Sequence, residues 1–209
     1  MNFKNLFWYF NGVLSNKLCD EVIKYGESKQ DQMAITGNQT AKIAKGPLSE
    51  EDILDLKKKR NSNIVWLDER WIYNEIHPYV HIANKSAGWN FQWDFSEACQ
   101  FTKYKLNQYY NWHCDSNEIP YKEDSNLDYR GKIRKLSMSC LLSDPSDYEG
   151  GDFLFQDRGH DDIQEVELPP GLKKGSIIIF PSYVWHKVKP VTKGKRYSLV
   201  VWHLGKPFI

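Results

Sequence analysis

From about residue 91 onward the chain changes its period. Short runs with apolar residues at alternate positions are separated by Gly, Pro, Asn, Asp and Ser clusters roughly every ten residues. Runs at 98–105, 109–114, 134–142, 151–156, 163–168, 175–180, 184–191 and 195–203 read as strands. Eight strands of this kind cannot bury their apolar faces singly and suffice for two facing sheets, a jelly roll. The preceding third reads differently. Leu18, Cys19, Val22, Ile23 and Tyr25 follow a helical period behind Ser15, a good N-cap, and the helix is expected to stop near Gly26. Ser49 with Asp52 predicts a capping box for a second short helix. Residues 64–67 read as a strand, and residues 70–85 as a helix interrupted or kinked at Pro78. The polar stretches 28–48 and 116–133 read as irregular connections, the second long enough for a lid over a site. The expectation is one domain over 1–209, mainly β: N-terminal helices and connecting segments over 1–90 buttress a β core over 91–209.

Composition narrows the partners. Lys plus Arg number 28 and Asp plus Glu 27, a net charge of +1, so no global field draws the chain to nucleic acid or anionic lipid. The basic run Lys57, Lys58, Lys59, Arg60 reads as the solvated end of a helix. Cys19, Cys99, Cys114 and Cys140 form no C-x-x-C pair, and the apolar stretch Leu6–Phe10 is too short for a secretory leader or a membrane span. A cytoplasmic protein with reduced thiols and no membrane segment is expected.

Within the β region, His113, Cys114 and Asp115 form a His-x-Asp triplet. Successive side chains of a strand alternate faces, so His113 and Asp115 project together and Cys114 away from them. With His186 from a distant strand, they make a two-His, one-carboxylate set that leaves adjacent metal positions open, as a non-haem ferrous oxygenase needs and a closed structural zinc site does not. On 195–203 the same alternation groups Arg196, Ser198, Val200 and Trp202 on one face. An arginine inside an apolar barrel needs an anion, and its planar fork suits a carboxylate. The implied ligand is a dicarboxylate that chelates iron at one end and meets Arg196 and Ser198 at the other, with Tyr104 in position to add a phenolic hydrogen bond. His77 and His81 lie one helical turn apart, but Pro78 stands where a metalloprotease signature requires glutamate. Trp202 reads as a wall of the substrate pocket, Trp112 and Trp185 as core packing.

The run Tyr104-Lys-Leu-Asn-Gln-Tyr-Tyr-Asn-Trp-His113-Cys-Asp115, the turn and strand Tyr148-Glu-Gly-Gly-Asp-Phe-Leu-Phe155, the segment Lys174–Pro181 and the run from His186 through Arg196 to Ser198 resemble, in order and spacing, iron(II)- and 2-oxoglutarate-dependent dioxygenases of the prolyl 4-hydroxylase type. The resemblance covers roughly 98–205. It implies a double-stranded β-helix, a form of jelly roll, with His113, Asp115 and His186 binding Fe(II) and Arg196 binding 2-oxoglutarate, assisted by Ser198 and Tyr104. It also implies O2 as oxidant and ascorbate as an optional reductant. The implied reaction is hydroxylation of an unactivated C–H bond on a peptide, a protein side chain or a small molecule. Two departures stand out: Leu141 occupies a position that is aromatic in some members, and Trp202 stands where the nucleobase-demethylating branch has a second arginine. A non-enzymatic alternative is a jelly-roll module that binds metal and dicarboxylate, or senses them, without turnover.

Overall fold

The computed structural model describes residues 5–34, 49–116, 119–122, 126–158 and 162–208. Helix α1 (Asn16–Glu27) starts where Ser15 accepts a hydrogen bond from Leu18 N, and α2 (Glu50–Lys59) starts at the predicted capping box of Ser49 and Asp52. Helix α3 (Arg70–Ser86) runs through Pro78 as one element. Its buried stripe of Ile72, Ile76, Val80 and Ala83 continues on both sides of the proline, so packing outweighs the single lost backbone hydrogen bond. Among the described residues no helix is long and apolar enough to cross a membrane.

Most of the described β elements form two facing sheets. The larger has the order β1 (Trp8–Phe10), β12 (Ile177–Pro181), β8 (Ile133–Leu141), β15 (Arg196–Gly205), β6 (Cys99–Tyr104), β4 (Asn63–Leu67), β2 (Gln32–Met33), with β5 (Phe95–Ser96) also paired to β15. The smaller has the order β11 (Gln164–Glu167), β10 (Phe153–Asp157), β13 (His186–Val188), β7 (Tyr109–His113), β3 (Arg60–Asn61). The segment predicted as one strand over 184–191 divides instead into β13 and the start of β14 (Val191–Gly194), which pairs with β9 (Tyr148–Gly150) in a separate ribbon. Pro190 has no N–H to continue a ladder and marks the break.

The pleat of the larger sheet assigns residues to two different interiors. Ile177, Ile179, Leu199 and Val201 face the helices and pack with Cys19, Val22, Ile72 and Ile76. Ile178 and Phe180, their neighbours on the same strand, face the smaller sheet and pack with Phe153, Phe155 and Val188. The period-2 pattern thus generates one core outside the sheet sandwich and one inside it. The inner one is incomplete, and the positions it lacks are filled by the polar groups of the site.

Gly26 lies where α1 crosses β6, and a Cβ added there would overlap the Phe101 ring. Alanine ordinarily gains up to about 1 kcal/mol over glycine in a helix, but overpacking a buried ring costs about 1–3 kcal/mol. Gly26→Ala is therefore expected to lower the thermal midpoint by about 2–4 °C; a rise on calorimetry would show that Phe101 yields freely.

His203 is fully buried on the helix side of β15, where Ser96 Oγ lies 2.8 Å from its Nδ1 and 3.0 Å from His77 Nε2. Burial first, then the neighbouring His77 and His81, lower its pKa from 6.5 to about 3. Between those values the unfolded chain holds a proton that the folded one does not, so stability falls as pH drops from 6.5 toward 3, by up to about 1.4 kcal/mol per pH unit. Thermal midpoints measured across that window should show a shallower decline for His203→Gln; an unchanged slope would assign the acid sensitivity elsewhere.

Candidate functional site

β7 and β13 are antiparallel neighbours, and His113 and His186 are direct partners in their register. Backbone pairing alone therefore sets the two imidazoles side by side, their ring centroids 4.1 Å apart. Asp115 lies just past the end of β7 and is fixed by its N–H, which donates to Ser182 O at 2.8 Å. His113 Nε2 is 3.7 Å from Asp115 Oδ1 and His186 Nε2 is 3.5 Å from Asp115 Oδ2. One donor atom from each of the three lies within 4.8 Å of the others, and all three residues are buried. One bound ion can touch all three.

Local contacts fix which atoms are free to coordinate. His113 Nδ1 is 2.7 Å from Asn111 O and His186 Nδ1 is 3.0 Å from Val184 O. A carbonyl oxygen only accepts, so each Nδ1 carries the hydrogen and donates it, and a neutral ring then presents the Nε2 lone pair to the cavity. Burial, reinforced by the adjacent His186, holds His113 well below the usual imidazole range, which keeps that ring neutral at pH 7. Burial opposes the charge of Asp115, yet His186, His113 and Arg134 together hold its carboxyl below the usual carboxylate range. Ser137 Oγ donates to Asp115 Oδ2 at 2.7 Å and is itself 2.9 Å from Ser182 Oγ. The Trp202 indole makes no full hydrogen bond, although its N–H dipole favours the ionised Asp115. Neutral nitrogens, an ionised oxygen and an oriented outer layer are the donor set of a 2-His-1-carboxylate ferrous site.

Arg196, Ser198, Val200 and Trp202 line the same cavity as the three donors, as the alternation along 195–203 predicts. Arg196 starts β15 opposite Tyr104 on β6, and its guanidinium carbon is 5.5 Å from the Tyr104 ring centroid. It is 1% exposed, and neither its Nε nor its Nη1 has a hydrogen-bond partner among the described residues. Leaving such donors unpaired costs about 1–3 kcal/mol each, so the site fits an anionic group. Gly151 packs against the Arg196 stem, and a Cβ there would collide with it. This close approach accounts for part of the Tyr148-Glu-Gly-Gly signature.

Other residues of the cavity lie outside the sequence-derived set. Tyr110 stacks on His113 at 3.4 Å and 12° between ring planes. Phe153 lies parallel to the His186 ring and Phe180 meets it edge-on, which fixes that ligand's orientation. Arg134 forms a bidentate pair with Glu97, with both contacts at 2.6 Å, and lies 3.9 Å from the Trp202 ring centroid, which props that wall. Arg60, read in sequence as part of a solvated helix end, is 4% exposed and lines the cavity. The residues before it remain exposed or half-buried on α2; the chain enters β3 at Arg60 and turns its side chain inward. Alternate burial at Arg60, Ser62 and Ile64 is a period-2 signal that continues backward from the predicted strand 64–67. Trp112 and Trp185 are half-buried rather than core residues, covered by Lys187 and Arg158 at 4.4 and 4.1 Å.

Because Ser137 supplies a hydrogen bond to a donor carboxylate, Ser137→Ala is expected to weaken ferrous-ion binding about tenfold or more without unfolding the protein. Anaerobic metal titration measures this. An affinity within twofold of wild type would mean that Asp115 is held by other contacts.

Several known proteins share this architecture. Over 93 residues the chain is 39% identical to a PKHD-type hydroxylase of Synechococcus sp. (strain CC9605), a match that covers 44% of this chain and 35% of the relative. A PKHD-type hydroxylase of Herminiimonas arsenicoxydans is 36% identical over 104 residues, covering 49% and 41%. The chain thus matches well under half of the length of these curated relatives. Over nearly its whole length it superimposes on a viral collagen prolyl hydroxylase from Paramecium Bursaria Chlorella virus-1 (TM-score 0.61, 20% identity, 97% of each chain). A Trichoplax adhaerens prolyl hydroxylase, solved with a hypoxia inducible factor peptide fragment, gives a TM-score of 0.67 at 18% identity, covering 96% of this chain and 84% of that one. At these identities the superpositions establish the double-stranded β-helix fold. The sequence profile of the 2OG-Fe(II) oxygenase superfamily matches residues 99–204, half of the chain and nearly all of the stretch from β6 to the end of β15, and the protein belongs to that superfamily.

Proposed function

We propose that the protein is an Fe(II)- and 2-oxoglutarate-dependent dioxygenase of the prolyl 4-hydroxylase type that hydroxylates an unactivated C–H bond on a peptide or protein side chain. The observation that carries this reading is the buried His113, Asp115 and His186 set sharing one cavity with Arg196, whose Nε and Nη1 lack hydrogen-bond partners among the described residues. The superfamily uses iron, 2-oxoglutarate and O2. The peptide class is drawn from the relatives and neighbours, among them a prolyl hydroxylase solved with a peptide fragment.

His113 Nε2, His186 Nε2 and a carboxylate oxygen of Asp115 would hold the metal. Bound there, iron and its co-substrate supply the oxidising power, as oxidative decarboxylation of 2-oxoglutarate to succinate and CO2 is coupled to hydroxylation of the substrate. The protein's own work is positional. Arg196, with Ser198 and Tyr104 beside it, would bind the distal carboxylate and set the reach of the co-substrate toward the metal. Phe153, Phe180 and Val188 exclude water from the path between them. Trp202 and Tyr110 line the same cavity and would bound the substrate chain. A reducing, cytoplasmic setting, in which the four free cysteines stay reduced, is part of this proposal.

The test is an anaerobic titration with Fe(II) and 2-oxoglutarate, followed by admission of O2 with proline-containing peptides and detection of succinate and of an added oxygen atom by mass. His113→Ala and His186→Ala are expected to abolish iron binding. Arg196→Ala should weaken 2-oxoglutarate about 10- to 100-fold, the range expected for loss of charge-assisted hydrogen bonds, while iron affinity holds. Tight co-substrate binding without succinate under any condition would instead support a binding module.

A further inference from the structure

The cavity contains a second arginine that has no carboxylate partner among the described residues. Arg60 lies on β3, opposite Tyr110 on β7, and its guanidinium carbon is 4.4 Å from the Tyr110 ring centroid. Tyr110 is already stacked on His113, so Arg60 must cover the other face of the ring, one aromatic layer from a metal donor. Its hydrogen-bond partners among the described residues are neutral: Nε donates to Ser62 Oγ at 3.0 Å and Nη1 to Gln100 Oε1 at 3.4 Å. Nη2 donates to nothing among the described residues, and no carboxylate pairs with the group.

The charge balance of the loaded site makes this significant. Among nearby arginines, Arg134 is neutralised by Glu97. Asp115 offsets one charge of a ferrous ion, and 2-oxoglutarate brings two negative charges, one for the remainder on the metal and one for Arg196. Arg60, 4% exposed, is then the cation left over in the cavity, where an uncompensated charge is costly and a matching anion is favoured. We infer that Arg60 is a substrate-selecting residue, and that the molecule oxidised here carries a carboxylate seated on its guanidinium beside Tyr110. This rests on the dioxygenase reading above and narrows it: the preferred substrate is an acidic peptide or a C-terminal carboxylate, not a neutral peptide segment.

Matched acid and amide probes test it. N-acetylproline is compared with N-acetylprolinamide, and Ac-Glu-Pro-NH2 with Ac-Gln-Pro-NH2, each bound anaerobically to the protein loaded with Fe(II) and 2-oxoglutarate, with tryptophan fluorescence as the readout. In at least one pair the acid should bind about tenfold more tightly than its amide, the scale of one charge-assisted hydrogen bond. Arg60→Gln should erase that difference while 2-oxoglutarate affinity stays within twofold of wild type. Arg60→Lys, which keeps the charge but loses the fork, should retain part of it and serves if the glutamine variant fails to fold. Equal binding of acid and amide by the wild type, binding of neither, or discrimination that survives in Arg60→Gln overturns the inference. The two readings fail separately. Selective acid binding without succinate formation would uphold the role of Arg60 and remove the hydroxylation of these probes, whereas equal succinate yield from acids and amides would uphold the dioxygenase and remove the carboxylate selection.

Discussion

The antiparallel pairing of β7 with β13 is the constraint on which the site depends, because it makes His113 and His186 partners in one ladder. Two imidazoles from distant parts of the chain are thereby placed by backbone hydrogen bonds, whose spacing is fixed, and not by flexible side chains reaching across a cleft. The third donor is anchored in the same way, by a backbone N–H of Asp115 bonded to Ser182 O at the end of β12. Stacked rings of Tyr110, Phe153 and Phe180 then lock the imidazole planes. A one-residue slip of either strand would turn its histidine to the opposite face.

The larger sheet carries the second requirement, a deep cation aligned with those donors. β15 is the hub: it pairs with β8, β6 and β5, and its alternation sends Leu199 and Val201 to the helices and Arg196, Ser198 and Trp202 to the cavity. The helices α1 and α3 seal the outer face, so the sheet is buried on both sides. Polar groups in such a layer persist only where each has a partner or a ligand. Most have one: Ser137 with Asp115 and Ser182, Gln100 with Thr102, Arg134 with Glu97. Among the described residues Arg196 is left with two unmatched donors and Arg60 with neutral hydrogen-bond partners, and the proposed binding roles rest on these two.

The sequence carried these features unevenly. The His-x-Asp spacing, the later histidine and the alternation along 195–203 could be read directly, because a strand's period of two assigns faces without any knowledge of neighbours. Ser15 and Ser49 announced their helices for a similarly local reason, a side-chain oxygen bonded to an N–H three residues on. The three lysines before Arg60 mask its inward turn in the sequence, because the change from helix to strand falls between Lys59 and Arg60. The interruption expected at Pro78 does not occur, because the apolar stripe on either side of it packs on the sheet. Trp112 and Trp185, large aromatics of the kind that usually fill a core, are half-buried instead, with Lys187 and Arg158 over their faces.

The amino-acid order by itself determined the β-rich class, the N-terminal helices with their caps, and which side chains of each strand share a face, since all of these follow from interactions within a few residues. Only the tertiary structure decided that the faces of β7, β13 and β15 meet in one cavity and that Arg60 joins Arg196 inside. Those outcomes depend on strand register and on the burial of charge, and both are settled by contacts between residues far apart in the chain.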